Sequence, residues 1–247
     1  MNILVCLSKV PDTTSKISFT DNNTRFNTQG VQFILNPSDE WYALVRAIEL
    51  KEAKLADSVA AVMVGGAEDD ALLRKAVAIG ADTLYRINAE PRDAFSVARM
   101  LADFIKTQNF QLVMTGKETI DYNGGEVPAL LAEFLGWELA SPVNKLDIVN
   151  GKARMESELG SMTQVLEADF PLVISAAKGM ADQRIPNMWG IRNSRMASIN
   201  VVEPVSVEPL TQIIRFDLPP AKGQVKMIPA DQPELLVDLL HNEAKVI

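Results

Sequence analysis

The chain of 247 residues sets 24 Lys and Arg against 32 Asp and Glu, a formal net charge of −8, with 47% hydrophobic and 23% charged residues. A chain of that length folds around an ordinary core without disulfide or metal staples, and its acidity argues against non-specific binding to nucleic acid or anionic membranes. One cysteine and one histidine, Cys6 and His241, leave no internal disulfide, no Cys/His metal site and no Ser-His-Asp or Cys-His catalysis.

No run approaches the ~20 apolar residues of a membrane helix. Residues 1–6 lack the basic region and cleavage site of a secretory signal. The expected compartment is the cytoplasm, which suits a lone thiol.

In chain order, Ile3–Leu7 reads as a short buried strand and Val10–Ser15 as a loop. Residues 16–35 read as weak strands around the turn signal Asp21-Asn22-Asn23. Pro37-Ser38-Asp39-Glu40 opens a helix, with Ser38 or Asp39 as cap and acidic groups at its positive end. Its apolar face holds Ala43, Leu44, Ala47, Ile48 and Leu50, and it ends near Leu55. Ser58–Val64 is a second buried strand running into Gly65-Gly66, and residues 68–79 form a helix stopped by Gly80. Thr83–Ile87 is a third strand. Asp93 caps a helix to about Lys106, Phe110–Thr115 is a fourth strand, and Val127–Leu135 is a helix ended by Gly136.

These repeated strand–loop–helix units predict an α/β fold, a Rossmann-like, mostly parallel sheet with helices on both faces. The pattern then changes. Asn144–Val149 and Lys152–Glu158 flank Asn150-Gly151, a hairpin signal. With Gln164–Glu167 and Leu172–Ser175 they are expected to complete the sheet as antiparallel strands. Residues 1–203 thus form the α/β domain. Residues 204–247, punctuated by six prolines, form an arm that ends in a helix over about Asp231–Asn242. Leu235, Leu236, Leu239 and Leu240 lie on one side of that helix, and such a segment needs a surface to pack on, its own domain or another subunit.

Ligands of open α/β sheets bind beyond the carboxyl ends of the strands. There the sequence puts Cys6–Lys9, Val64-Gly65-Gly66 and the loop Gly116–Gly125, followed by a helix. Glycines ahead of a helix admit an anion to backbone N–H groups. The loop is read either as a nucleotide phosphate site or as a flexible surface loop. Cys6 is read as packed rather than reactive, and Asn36-Pro37 as a turn or a ligand contact. Glu118, Asp121 and Glu126 serve as caps or as acid–base groups. Lys178, Arg184, Arg192 and Arg195 surround Trp189 in an irregular segment, read as a partner-docking loop or a solvated one.

The chain also resembles the β subunits of electron transfer flavoproteins along almost its whole length. Met1–Thr13 is similar to that family's first strand and loop, and Gln29-Gly30-Val31, Leu35-Asn36-Pro37 and Ala43–Glu52 to its GV…NP…E.A..LKE stretch. Val77–Asp82 is similar to A.AMGAD, Gly116–Asp121 to GKQAID, Phe170–Ile174 to LPAVV and Ile185-Pro186-Asn187 to LPN.

The resemblance implies an adenine-nucleotide-binding domain of the universal-stress and ATP-pyrophosphatase type. Its C-terminal arm would dock on an α subunit that holds most of an FAD. The β chain itself would carry a structural AMP or a second FAD and would be no enzyme. The heterodimer would pass electrons from dehydrogenases, acyl-CoA dehydrogenases among them, to a quinone reductase or another acceptor.

Carried over residue by residue, the nucleotide contacts fall on Cys6, Asn36, Val64, Gly65 and Asp121, Tyr122, Asn123, Gly124, Gly125, Glu126 and Val127. Thr13 falls where the family's β chain approaches the flavin. Arg184, Pro186, Asn187 and Trp189 fall in the partner-docking segment.

The chain departs from the pattern at Gly124–Pro128, where AMP-binding members read NQTGQ and bifurcating members TAQVG. Glu126 repels a phosphate and Pro128 offers no N–H, whereas Gly124 and Gly125 do and Pro128 suits a first helical turn. AMP and FAD both stay open. The family's NEPRYAT segment is missing, and its Lys-rich run is replaced by Met188–Arg195, which implies a different dehydrogenase partner. The alternative is a stand-alone, universal-stress-like nucleotide-binding module, which leaves the long arm without a purpose; an adenylating or nucleotide-hydrolysing enzyme lacks a P-loop and an evident base.

Overall fold

The computed structural model describes residues 1–247. In chain order its elements are β1 (Asn2–Cys6), β2 (Lys9–Pro11), β3 (Phe19–Thr20), β4 (Arg25–Phe26), β5 (Phe33–Leu35), α1 (Asp39–Glu52), β6 (Ser58–Gly65), α2 (Asp70–Leu73), α3 (Lys75–Ile79), β7 (Thr83–Asn88), α4 (Ala94–Lys106), β8 (Leu112–Gly116), α5 (Glu126–Leu135), β9 (Glu138–Val143), β10 (Lys145–Val149), β11 (Lys152–Leu159), β12 (Met162–Ala168), β13 (Leu172–Ala176), α6 (Met188–Met196), β14 (Asn200–Val202) and α7 (Pro233–Asp238).

A seven-stranded sheet in the order β14-β7-β6-β1-β8-β13-β9 forms the centre, and every pairing in it is parallel. Parallel strands are covered on both faces, so their sequences run apolar without alternation. The side chains still alternate. Ile3, Val5, Val59, Ala61, Met63, Leu112, Met114, Leu172 and Ile174 point to one core, against α1 and α3. Leu4, Cys6, Ala60, Val62, Val113 and Val173 point to the other, against α4 and α5. Each large apolar side chain buried this way stabilises the fold by about 1.5–3 kcal/mol.

The sheet corrects one expectation. The hairpin strands do not complete it. β10, β11 and β12 form a separate antiparallel sheet, whose Leu146, Ala153 and Met155 seal the α1 core. Asn150 (φ 52°) and Gly151 (φ 79°) make its expected tight turn. β13 instead joins β8 in parallel, and β9 and β14, which the sequence reading passed over, widen the sheet at its two edges. β9 was hidden because only Ala140 and Val143 of it are buried, so it shows neither an apolar run nor a clean alternation.

Local signals held at several ends. Asp93 caps α4 by accepting the Ser96 N–H at 2.8 Å, and Gly136 closes α5 at φ 68°. Ser38 precedes α1 but makes no side-chain cap bond. The helix expected over 68–79 is broken into α2 and α3, with Gly80 ending it at φ 132°.

The segment read as irregular contains α6, which crosses α3 at very close range. Gly190 makes this possible, because a Cβ there would stand 2.1 Å from the Ala78 carbonyl oxygen. Asn187 caps α6 through the Gly190 N–H at 2.7 Å.

After β14 the chain runs back across the domain. Val207 packs on the α4–α5 core, the Leu210 and Thr211 N–H groups donate to Asp93 Oδ2 at 2.7 and 3.0 Å, and Phe216 stacks on Phe19 at 4.9 Å. Residues 218–247 make no hydrogen bond to the rest of the chain. Helix α7 and the π-helical turn Leu239–Glu243 bury no residue.

Two outcomes follow from these contacts. G190A replaces glycine with a better helix former by ~1 kcal/mol, yet it should destabilise the domain by about 1–3 kcal/mol through overpacking on Ala78, read as a lower urea midpoint. D93A should cost about 1 kcal/mol as a lost cap and should raise hydrogen exchange at Leu210 and Thr211. Burial works against the charge of the Asp93 carboxylate, but bonds from Ser96, Thr211 and Leu210 outweigh it and hold its pKa at about 2. The stabilisation is therefore full above pH 3.8 and lost as pH falls through about 2.

Candidate functional site

From β1 the chain moves through β6 to β7 on one side, then returns to place β8 on the other side of β1. The sheet's topological switch point is therefore the β1–β8 boundary. The loops leaving the carboxyl ends of these two strands diverge there and leave a crevice.

Two buried polar residues hold those loops. Asn36 is fully buried. Its N–H donates to the Ser8 carbonyl at 3.0 Å, its Nδ2 to the Glu118 carbonyl at 3.0 Å, and its Oδ1 accepts the Ile120 N–H at 3.4 Å. One side chain thus ties the loop after β1 to the loop after β8. Glu40, on the first turn of α1, accepts the Ser8 N–H at 2.6 Å and the Ser8 hydroxyl at 2.7 Å. Burial pushes the Glu40 carboxyl up to about 7 against the pull of its bonds from Ser8 and Asn36, and the Asp121 carboxylate adds to the rise. Gly116 lets α1 approach, since a Cβ there would lie 2.8 Å from Glu40 Cγ.

The Cys6 thiol faces the α4–α5 core. Burial, and then the charge of Glu40, pushes its pKa far up. Val64, half-buried, packs on the same core, as does Val127 from the start of α5. Gly65 is buried beside Asp69, whose Oδ1 pairs with Lys9 at 2.6 Å.

The loop from Asp121 to Glu126 is exposed. Asn123 adopts a left-handed conformation at φ 52°. The backbone N–H groups of Gly124, Gly125, Glu126 and Val127 donate to nothing in the chain, and no side chain caps α5. A cleft of about 320 Å³ adjoins, lined by Ser38, Asp39, Tyr42, Lys117, Ile120 and Asn123 among others. Burial raises the Asp39 carboxyl, with Lys117 opposing, and raises the Tyr122 hydroxyl, with Asp121 adding to it.

The residues expected at a nucleotide site thus fall into two groups. Cys6, Val64 and Val127 share one apolar wall, and Asn36 ties the loop that carries Asp121–Glu126. Thr13 lies elsewhere, exposed on the turn after β2. The sequence reading placed Ser8 and Gly116 in the strand-end loops without giving either a role, and read Glu40 only as an acidic group at a helix start, a signal that fits dipole complementation equally well. The geometry suits binding, with donors and an apolar wall, and no group of at least three His, Cys, Asp or Glu is arranged to hold a metal ion.

The second candidate region is α6. Met188 and Trp189 are 83% and 72% exposed, Met196 86%, and Arg192 and Arg195 share that outward face by helical spacing. Arg184 is engaged with Glu52 through two bonds of 2.6 and 3.1 Å, and Pro186 precedes the Asn187 cap.

Residues 24–207 match the electron transfer flavoprotein domain. Over the full length of both chains, the sequence is 33% identical to the electron transfer flavoprotein subunit beta of Bacillus subtilis. It is 32% identical to that of Syntrophomonas wolfei, over 100% of this chain and 98% of the relative. To the human subunit the identity is 28%, over 90% of each chain. No helix is long and apolar enough to cross a membrane.

The burial of Cys6 has a direct chemical consequence. Ellman's reagent should leave the thiol unmodified in the folded chain and label it fully in denaturant; fast labelling of the native chain would show that the α4–α5 wall is open.

Proposed function

The chain belongs to the β-subunit family of electron transfer flavoproteins, a family of electron carriers, and from that premise we propose that it is the non-catalytic partner of an α subunit and holds an adenine nucleotide at its own switch point. The observation that carries the nucleotide assignment is the row of unengaged N–H groups from Gly124 to Val127 at the start of α5. Such a row, with the helix dipole behind it, is a ready anion site. The apolar wall of Cys6, Val64 and Val127 suits the flat face of a purine, and Asn36, Gly65 and Asp121–Asn123 are assigned to the same ligand. The nucleotide is AMP or, in the same place, a second FAD.

The flavin supplies the ring that accepts and releases electrons when the complex is assembled. This chain's own part is to bind, orient and dock. Residues 218–247, which carry Leu235 and Leu236 at 40% and 46% exposure, are assigned to the α subunit's surface. Thr13, exposed on its turn, is assigned to the same subunit near its flavin.

The outward face of α6 is assigned to the electron donor, a dehydrogenase, with Trp189 as anchor and Arg184, Pro186 and Asn187 fixing the helix that presents it. An exposed tryptophan flanked by arginines suits an apolar pocket with an acidic rim. The acceptor is a quinone reductase or another carrier.

Co-expression with the candidate α subunit tests the assignment. Small molecules released by heat from the purified complex are identified by absorbance and mass. One FAD and one AMP per heterodimer are expected; two FAD place a second flavin in this subunit. FAD with no second nucleotide overturns the switch-point site, and a complex without flavin overturns the reading altogether. In the same complex W189A should slow reduction by the donor dehydrogenase roughly 30-fold, as loss of a hot-spot anchor does, while the nucleotide content stays unchanged.

A further inference from the structure

Glu40 is 7% exposed, and no lysine or arginine pairs with it. The groups facing it are the Ser8 N–H and hydroxyl, the Asn36 amide and the Asp121 carboxylate, and the Cys6 thiol from β1. On its own helix the neighbouring Asp39 turns to Lys117 and Glu118 of the loop after β8. Both Glu40 oxygens accept from Ser8, so the carboxyl grips the first residues of the loop after β1. Asn36, four residues before it, grips the loop after β8 at Glu118 and Ile120 and also the Ser8 carbonyl. Gly116 gives way so that α1 can reach that far, since any Cβ there would also stand 3.1 Å from the Glu40 backbone nitrogen.

A buried carboxyl with no cation costs stability that only its hydrogen bonds, or a proton, offset. Here it holds the loop after β1 through Ser8, and Asn36 ties that loop to the one after β8, the two loops between which the nucleotide was assigned. We propose that Glu40 is a positioning residue for the adenine nucleotide, fixing the loop after β1, and Asn36 with it, against the loop that carries Asp121–Val127. The proposal rests on the nucleotide reading for its ligand, and on the contacts above for its geometry.

The proton on Glu40 then matters. Its carboxyl titrates at about 7 because of burial. Among the groups facing it, the Cys6 thiol is pushed far above neutrality, and burial brings the Glu40 carboxyl to a change of charge near pH 7. Since the folded pKa lies above the unfolded 4.5, the stability it contributes is greatest below pH 4.5 and declines as pH rises to about 7. Ionisation puts a second negative charge beside Asp121 and the phosphate-bearing loop. Nucleotide binding weakens in the same window.

Two measurements on the full chain test this. Without ligand, E40A should raise amide hydrogen exchange at Ser8 and Ile120 about tenfold, and E40Q, which keeps a side chain able to meet Ser8, should rescue most of the protection; unchanged exchange in both variants overturns the proposal. With AMP as the probe, wild-type affinity should fall about tenfold more than that of E40Q between pH 6 and pH 8, E40Q keeping only the change due to AMP's own phosphate. Parallel pH profiles for the two overturn it as well. If the wild type binds no AMP at any pH, the nucleotide reading fails, and the exchange measurement alone decides whether Glu40 positions the loops. Should E40A fail to fold, the comparison of E40Q with wild type still decides.

Discussion

A parallel sheet covered by helices on both faces can bury a polar side chain along its strands only where the chain itself satisfies it, as it does Arg86, Thr115 and Ser175. That constraint orders this molecule. Ile3, Leu4, Val5, Val62, Val113 and Val173 are fully buried because each must fill one of two cores. Chemistry is displaced to the strand ends, where chain direction brings all carboxyl ends to one side. The reversal of strand order around β1 then opens a gap at one place only. Buried polar groups at that place have to be satisfied by the loops themselves, which is why Asn36 and Glu40, otherwise anomalous in a core, bind the backbone of the loops after β1 and β8. The same bonds that satisfy these side chains shape the crevice.

The arm obeys the opposite logic. From β14 to Phe216 it is held to the domain by a strand pairing, the Asp93 carboxylate and an aromatic stack. Beyond that point it presents Val225, Met227, Leu235, Leu236 and Val237, each 40–84% exposed. A six-residue helix is too short to hold itself in water, and exposed apolar side chains on it lose the burial that makes ordering worthwhile. These properties are what the proposed docking of the arm on the α subunit requires. The tethered stretch reduces the entropy of reaching a partner, because only the terminal segment remains to be ordered on binding.

Much of this was legible in the residues. Apolar runs bounded by Gly65-Gly66, Gly80 and Gly136 gave the central strands and helix ends, and Asn150-Gly151 gave the hairpin. Asp93 was a clear cap. Other features depended on distant contacts. Whether the strand at Leu172–Ala176 runs parallel or antiparallel is decided by the route of the preceding chain, and the three-stranded sheet that intervenes turns it parallel. α6 was obscured by Gly190, a residue that weakens a helix locally. That glycine is required by the Ala78 carbonyl of another helix, which no local pattern reports. Glu40 was hidden for a related reason. An acidic residue at a helix start suits the dipole whether it is solvated or buried, and only the approach permitted by Gly116, 76 positions further on, distinguishes the two.

At the start of α5, two neighbouring residues set the character of the anion site proposed there. Pro128 offers no N–H, but it occupies the first turn, where a missing donor costs the helix nothing. The donors left to a ligand are those of Gly124 to Val127. Glu126 is exposed, so its charge is screened by solvent and favours the helix N-terminus by about 0.3–1 kcal/mol. In the absence of a ligand it partly neutralises the end of the dipole, and an arriving phosphate must compete with it. Four open N–H groups, each worth about 1.5–3 kcal/mol in a bond to a charged oxygen, outweigh one screened carboxylate. On the reading proposed above, the balance leaves room for a phosphate at this helix, but less than a neutral residue at position 126 would allow. The same proposal then asks the apolar wall of Cys6, Val64 and Val127 for a larger share of the binding than the phosphate site alone supplies.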